Sequence, residues 1–138
     1  MPVHAYVNFD QNAKDAIRFY ERVFDLEPTK ILTYGGFQGD PSYQSPEHIK
    51  DLVMHAELHI FGSRVMVSDT PRGFGQDHML GNNVTLAITS QNFDDLKHAY
   101  DRLSEGATII TEFAPTFFSG GYGYLIDQFG LGWQLILE

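Results

Sequence analysis

The sequence predicts an α+β fold built from two copies of one β-α-β-β-β unit. Three observations predict it. Two stretches with helical periodicity, one in each half, each follow an alternating strand. Three further strand-like runs follow each helix. A Phe-Gly pair recurs, in "FGSRVMVSD" (Phe61 to Asp69) and "FGLGWQLILE" (Phe129 to Glu138), each time shortly before an alternating strand.

Taken in order, "VHAYVNF" alternates as a strand, with Ala5, Val7 and Phe9 as its apolar phase. Asp10 or Asn12 then caps a helix that begins near Ala13. Ala16, Phe19, Tyr20 and Val23 fall at i, i+3, i+4, i+7, the spacing of one buried helix face. "PTKILTY", "LVMHAELHIF" and "RVMVSD" complete the first unit as strands. In the second, "NVTLAIT" reads as a strand whose core phase is Val84, Leu86 and Ile88. A helix follows, capped by Ser90 or Asn92, with Leu96, Ala99, Tyr100 and Leu103 at the same spacing. Gly106 ends it. "ATIITEF", "GYGYLID" and "GWQLILE" supply the last strands. Neither unit buries its sheet well alone, so one domain over residues 1–138 is expected, with modules at about 1–70 and 83–138. The linker is 70–83, and a second long connection runs over 35–51.

Composition narrows the function classes. The 138 residues carry a net charge of −9, which disfavours nucleic acid and anionic membrane surfaces as partners. No cysteine is present, which excludes a thiol nucleophile and a cysteine-ligated zinc. The N-terminus lacks the basic and apolar regions of a signal peptide, and no apolar run is long enough to span a bilayer. A cytoplasmic protein is the simplest expectation.

Some residues have bland readings. Trp133 shares its phase with Leu135 and Leu137 and belongs to the core. His48, His78 and His98 sit in loops or on a helix and are read as surface, as is Arg72. Asp94 and Asp95 favour a helix dipole. Ser119 has no His-Asp partner pattern. Gly120 and Gly121 suggest a bulge or flexible turn.

The segments "YVNFDQNAKDAIRFYERVF", "MHAELHIFGSRVMVSD" and "TFFSGGYGYLIDQFGLGWQL" resemble the vicinal oxygen chelate superfamily of glyoxalases, bleomycin-resistance proteins and extradiol dioxygenases, in its PhnB-like branch. The likeness covers almost the whole chain. It implies paired modules with curved sheets, a cleft on their concave side and a homodimer. Metal-using members place ligands on the first and last strand of each module. Here those places fall on His4, Met66, Asn83 and Gln134, the last in place of a glutamate. One imidazole, a thioether and two neutral amides make a poor site for a hard divalent cation. No cofactor is therefore expected.

A second cluster is "HAELH", which puts His55, Glu57 and His59 on one face of a strand, within reach of His4 if the strands are neighbours. Tyr6, Asn8, Tyr122 and Tyr124 share the inward phase and are further cleft candidates. The reading that follows is a PhnB-like small-molecule-binding protein without the inherited metal site. The alternatives are a metal-dependent lyase, isomerase or dioxygenase using His4, Glu57 and a strand histidine, and a non-catalytic structural dimer.

Overall fold

The computed structural model describes residues 1–36 and 46–138. Most of the long connection expected over 35–51 lies outside the described residues. The chain divides into two compact units, Met1–Met79 and Leu80–Glu138.

In the first unit β1 (Ala5–Phe9) leads into α1 (Ala13–Phe24), followed by β2 (Ile31–Thr33), a 3₁₀ turn (Glu47–Ile49), β3 (Val53–Ile60) and β4 (Ser63–Asp69). The sheet order is β1-β4-β3-β2, with β1 parallel to β4 and the other pairs antiparallel. The second unit repeats the plan with β5 (Leu86–Ser90), α2 (Phe93–Leu103), β6 (Thr108–Ala114), β7 (Tyr122–Ile126) and β8 (Gly132–Leu137), in the order β5-β8-β7-β6. The α+β pattern of two β-α-β-β-β modules is thus realised as two mixed four-stranded sheets.

Each helix buries the expected stripe against one face of its sheet. Ala16, Phe19, Tyr20 and Val23 of α1 are buried with Val53, Ala56, Leu58, Val65 and Val67. Leu96, Ala99, Tyr100 and Leu103 of α2 are buried with Leu125, Trp133 and Leu135. Period-2 alternation then leaves the opposite face of each sheet open. That open face carries the candidate site.

The helix starts differ. Asn92 caps α2, its side chain accepting the Asp95 N–H at 3.1 Å. Asn12 occupies the matching place on α1 but makes no side-chain cap bond. The buried carboxylate of Asp69, at the end of β4, accepts the Ala13 N–H at 2.9 Å and the Val53 N–H at 2.8 Å instead. Asp10 pairs with Arg72 at 3.2 Å.

The two Phe-Gly pairs close different hairpins. Phe61 and Gly62 are a two-residue turn, both with positive φ (49° and 85°), as a tight right-twisting hairpin requires. The second loop is longer. Asp127 organises it, accepting the N–H groups of Phe129 and Leu131 and the indole N–H of Trp133, the last at 2.9 Å. Trp133 is buried, as its phase requires.

In the "GGYGY" run Gly120 and Gly121 bend ahead of the strand, and β7 begins at Tyr122. Gly121 and Gly123 lie on the core face, where a Cβ would meet the rings of Phe113 and Tyr100 at 2.9 and 2.7 Å. Their small size lets the aromatics of α2 and β6 lie flat against β7.

Candidate functional site

Strand register places ten side chains of the first unit on the open face in three rows. Tyr6 pairs with Met66 and Met66 with Glu57. Asn8 pairs with Ser68, and by the same alternation His55 follows in that row, with Leu32 of β2 beside it. Arg64 pairs with His59, and His4 leads the β1 side of that row. His4 itself lies one residue ahead of β1 and is exposed.

These side chains bond to one another. The Tyr6 hydroxyl and His55 Nδ1 are 3.1 Å apart, and their rings stack at 5.7 Å with a tilt. His55 Nε2 lies 3.3 Å from Glu57 Oε1, and Arg64 Nη1 lies 3.6 Å from the same oxygen. The Ser68 hydroxyl donates to Asn8 Oδ1 at 3.0 Å. A polar line therefore runs Tyr6–His55–Glu57–Arg64 across β1, β4 and β3.

At the outer end of this face lies a cavity of about 730 Å³. Its walls are residues 25–30, Leu32, and His55, Glu57 and His59 of β3. The cause is a difference in strand length. β2 pairs only with the first half of β3, from Val53 to Ala56. Beyond that the chain leaves the sheet edge as the loop after α1, and the gap becomes the cavity. Two groups fix the loop. Asp25 turns the chain in the left-handed region (φ 52°), and Glu21 of α1 accepts the Thr29 backbone N–H. Burial raises the Glu21 pKa, but bonds from Arg18 and Thr29 outweigh it and hold the carboxyl below its ordinary value.

The second unit has its own polar chain. The Tyr122 hydroxyl donates to Gln134 Oε1 at 2.6 Å, and Gln134 Nε2 donates to Thr85 Oγ1 at 2.9 Å. Tyr124 pairs across the strands with Gln134, and Phe118 meets the Tyr122 ring edge-on at 5.0 Å. Burial, with Tyr124 nearby, raises the Tyr122 pKa.

The register corrects one expected position. Ala5 pairs with Val65 in the first unit and Leu86 with Trp133 in the second. The residue matching His4 is therefore Thr85, not Asn83. Asn83 is exposed and precedes β5. Val84, assigned to the core phase, is also outside the strand and 72% exposed. The regular alternation begins only at Leu86, so extrapolating it backwards placed both residues wrongly.

The inherited metal positions do not fit a divalent cation. Gln134 uses both ends of its amide on Tyr122 and Thr85. Met66 offers a thioether, a poor ligand for hard ions. His4 and His59 occupy one row with Arg64 between them, and a guanidinium there opposes a second positive charge. Among the described residues no group of three or more His, Asp or Glu side chains is placed to hold a metal ion.

Sequence reasoning missed Arg64, Leu32 and the loop wall of the cavity. Arg64 was findable, since it shares the phase of Met66 and Ser68. The loop was not, because its position depends on where β2 stops pairing.

Two alternating β-α-β-β-β units, each with an open polar face, define the glyoxalase/bleomycin resistance/vicinal oxygen chelate fold. The chain belongs to the family described as 3-demethylubiquinone-9 3-methyltransferase, the PhnB-like branch of that fold, whose model matches residues 2–136. It is 28% identical to Protein YjdN of Escherichia coli (strain K12), over 98% of this chain and 94% of that one. Protein PA1353 from Pseudomonas aeruginosa superimposes with a TM-score of 0.80 at 22% identity, covering 99% of this chain and 96% of that one. A putative 3-demethylubiquinone-9 3-methyltransferase, PhnB protein, from Bacillus cereus gives 0.74 at 21% identity, covering both chains fully (100% and 100%). The fosfomycin resistance protein FosX from Mesorhizobium loti shares the fold more distantly, with a TM-score of 0.61 at 14% identity over 100% of this chain and 91% of that one. Membership fixes fold and lineage and leaves the chemistry to the site. No helix among the described residues is long and apolar enough to cross a membrane.

Proposed function

We propose that the protein binds a small organic molecule in the cavity beside β3, without a metal. The observation that carries this reading is the cavity itself. Its volume of about 730 Å³ falls in the range of small-molecule sites, and His55 and Glu57 form a bonded polar wall within it. Leu32 and Pro28 supply apolar surface, and the polar groups of β3 fix orientation. Tyr6, Asn8 and Met66 extend the candidate surface on the open face of the first sheet, and Tyr122, Tyr124 and Gln134 form a separate candidate surface on the open face of the second. Two copies associate as a homodimer in the same proposal, and its setting is the cytoplasm, in keeping with a chain that has no cysteine.

The test is a thermal-shift screen of small polar-aromatic and polar-aliphatic compounds against the wild-type chain and the His55→Ala and Glu57→Gln variants. At least one compound class is expected to raise the wild-type Tm by about 2 °C or more at saturating concentration. The variants are expected to lose most of that shift. A screen without hits, or hits indifferent to both substitutions, overturns the reading. Light scattering on the eluted protein checks the dimer, and a mass of one chain refutes it.

A further inference from the structure

We propose that the cavity's ligand is a short peptide, or a molecule with a peptide-like amide, that pairs as an added strand with the backbone of His59 on the outer edge of β3. The inference rests on the cavity reading above and names the ligand's chemistry.

Three observations point there. First, β3 has an open edge where it borders the cavity. Ile60 and Ser63 flank a two-residue turn as a hydrogen-bonded pair, so Ile60, Leu58 and Ala56 turn their backbone groups to β4. Glu57 and His59 turn theirs to the opposite edge. β2 stops pairing at Ala56, and both residues line the cavity. Among the described residues no backbone group bonds to the N–H or C=O of His59 on that side.

Second, the loop after α1 is not built to fill that edge. The N–H groups of Asp25 and Leu26 go to the Glu21 carbonyl, and that of Thr29 goes to the Glu21 carboxylate. Continuing the Ile31–Ala56 register would put Pro28 opposite His59. A proline has no N–H to give the His59 carbonyl. Exposed sheet edges are commonly blunted by a covering segment. Here the covering segment stands off and leaves a cavity of about 730 Å³ between itself and the strand.

Third, span and chemistry suit a short amide. The open edge runs from Glu57 to Ile60, about 13 Å at strand spacing and roughly the span of a tripeptide. In strand addition one ligand residue exchanges two backbone bonds with its partner, here the N–H and C=O of His59. Both charge signs stand in the lining, Asp25, Glu27 and Glu57 together with Lys30, so each end of an unblocked peptide finds an opposite charge.

The test titrates the ¹⁵N-labelled full chain with trialanine, alanyl-leucyl-alanine and alanyl-tyrosyl-alanine, and with their analogues methylated at the amide nitrogens. At least one tripeptide is expected to move the His59 backbone N–H signal saturably and to slow its exchange with solvent about fivefold or more. Its methylated analogue has no N–H for the His59 carbonyl and is expected to bind about tenfold more weakly. His59→Pro removes the outward N–H at an edge position that tolerates proline, and is expected to weaken the tripeptide similarly. A dispersed amide spectrum shows that this variant is folded, and the methylated analogues test the pairing without it. A His59 N–H signal unmoved by tens of millimolar of every tripeptide overturns the proposal, as does equal binding of the methylated and unmethylated forms. In either case shifts at Leu32 and His55 still support the cavity reading, whereas silence from every tripeptide together with a thermal-shift screen without hits removes both.

Discussion

Asp69 closes the start of α1 by accepting the backbone N–H of Ala13 at 2.9 Å, a task that the cap residue Asn12 leaves undone. The same carboxylate accepts the Val53 N–H at 2.8 Å, so one buried side chain joins β4, α1 and β3. Asp69→Asn keeps the size but offers one acceptor oxygen in place of two. It is expected to destabilise the fold by about 1–3 kcal/mol in urea titration.

The same residue sets a pH dependence. Burial, partly offset by its two backbone bonds, raises the Asp69 pKa above its ordinary value. The folded chain then holds this proton more tightly than the unfolded chain. The stability contribution is fully present below the unfolded pKa and is lost as pH rises through the folded one. Unfolding curves taken upward from acid pH are expected to show this loss in wild type and not in Asp69→Asn. Equal slopes in the two proteins refute it.

Glu21 acts with the opposite sign. Its net pKa is lowered, so its contribution is present above the unfolded value and is lost as pH falls through the folded one. Because Glu21 also holds Thr29, Glu21→Gln is expected to loosen the loop that walls the cavity. Hydrogen exchange of residues 26–30 is expected to quicken by about five- to tenfold, matching roughly 1 kcal/mol of lost restraint. Unchanged exchange there rules out the tether.

Gly123 is held to glycine by space. An added Cβ would lie 2.7 Å from the Tyr100 ring and 3.1 Å from the Phe113 backbone. Gly123→Ala is expected to cost about 1–3 kcal/mol by overpacking. Gly62→Ala is the control, since nothing lies within 4 Å of its Cβ and only its positive φ of 85° is strained. Thermal unfolding is expected to rank Gly123→Ala as the less stable. The reverse order means that the strand moves aside to admit the methyl.

Chelator-stripped protein, re-incubated with Zn²⁺, Ni²⁺, Mn²⁺ or Fe²⁺ and desalted, is expected to retain well under one equivalent of metal. The reason is chemical. Gln134 is committed to Tyr122 and Thr85, and Arg64 stands between His4 and His59. One tight equivalent, lost in His4→Ala, would restore the metal-dependent enzyme.

Periodicity carries local information, and the chain wrote its local structure plainly. The 0, 3, 4, 7 stripes of Ala16–Val23 and Leu96–Leu103 named the buried helix faces, because a helix must bury one side whatever it meets. Alternation put Tyr6, Met66, His55, Glu57 and His59 on one face, because side chains along a strand take opposite sides in turn. The duplicated plan, and with it the fold, followed from those two periods. Three features were settled only by tertiary structure. Thr85 rather than Asn83 matches His4 because pairing with β8, not alternation, fixes where β5 starts. Asp69 caps α1 from 56 residues away, a bond that no window of sequence contains. The cavity exists because β2 stops pairing halfway along β3, so that a gap opens beside His55, Glu57 and His59. Register, long-range capping and strand mismatch all depend on which segments meet, and that is decided by packing rather than by the order of residues along the chain.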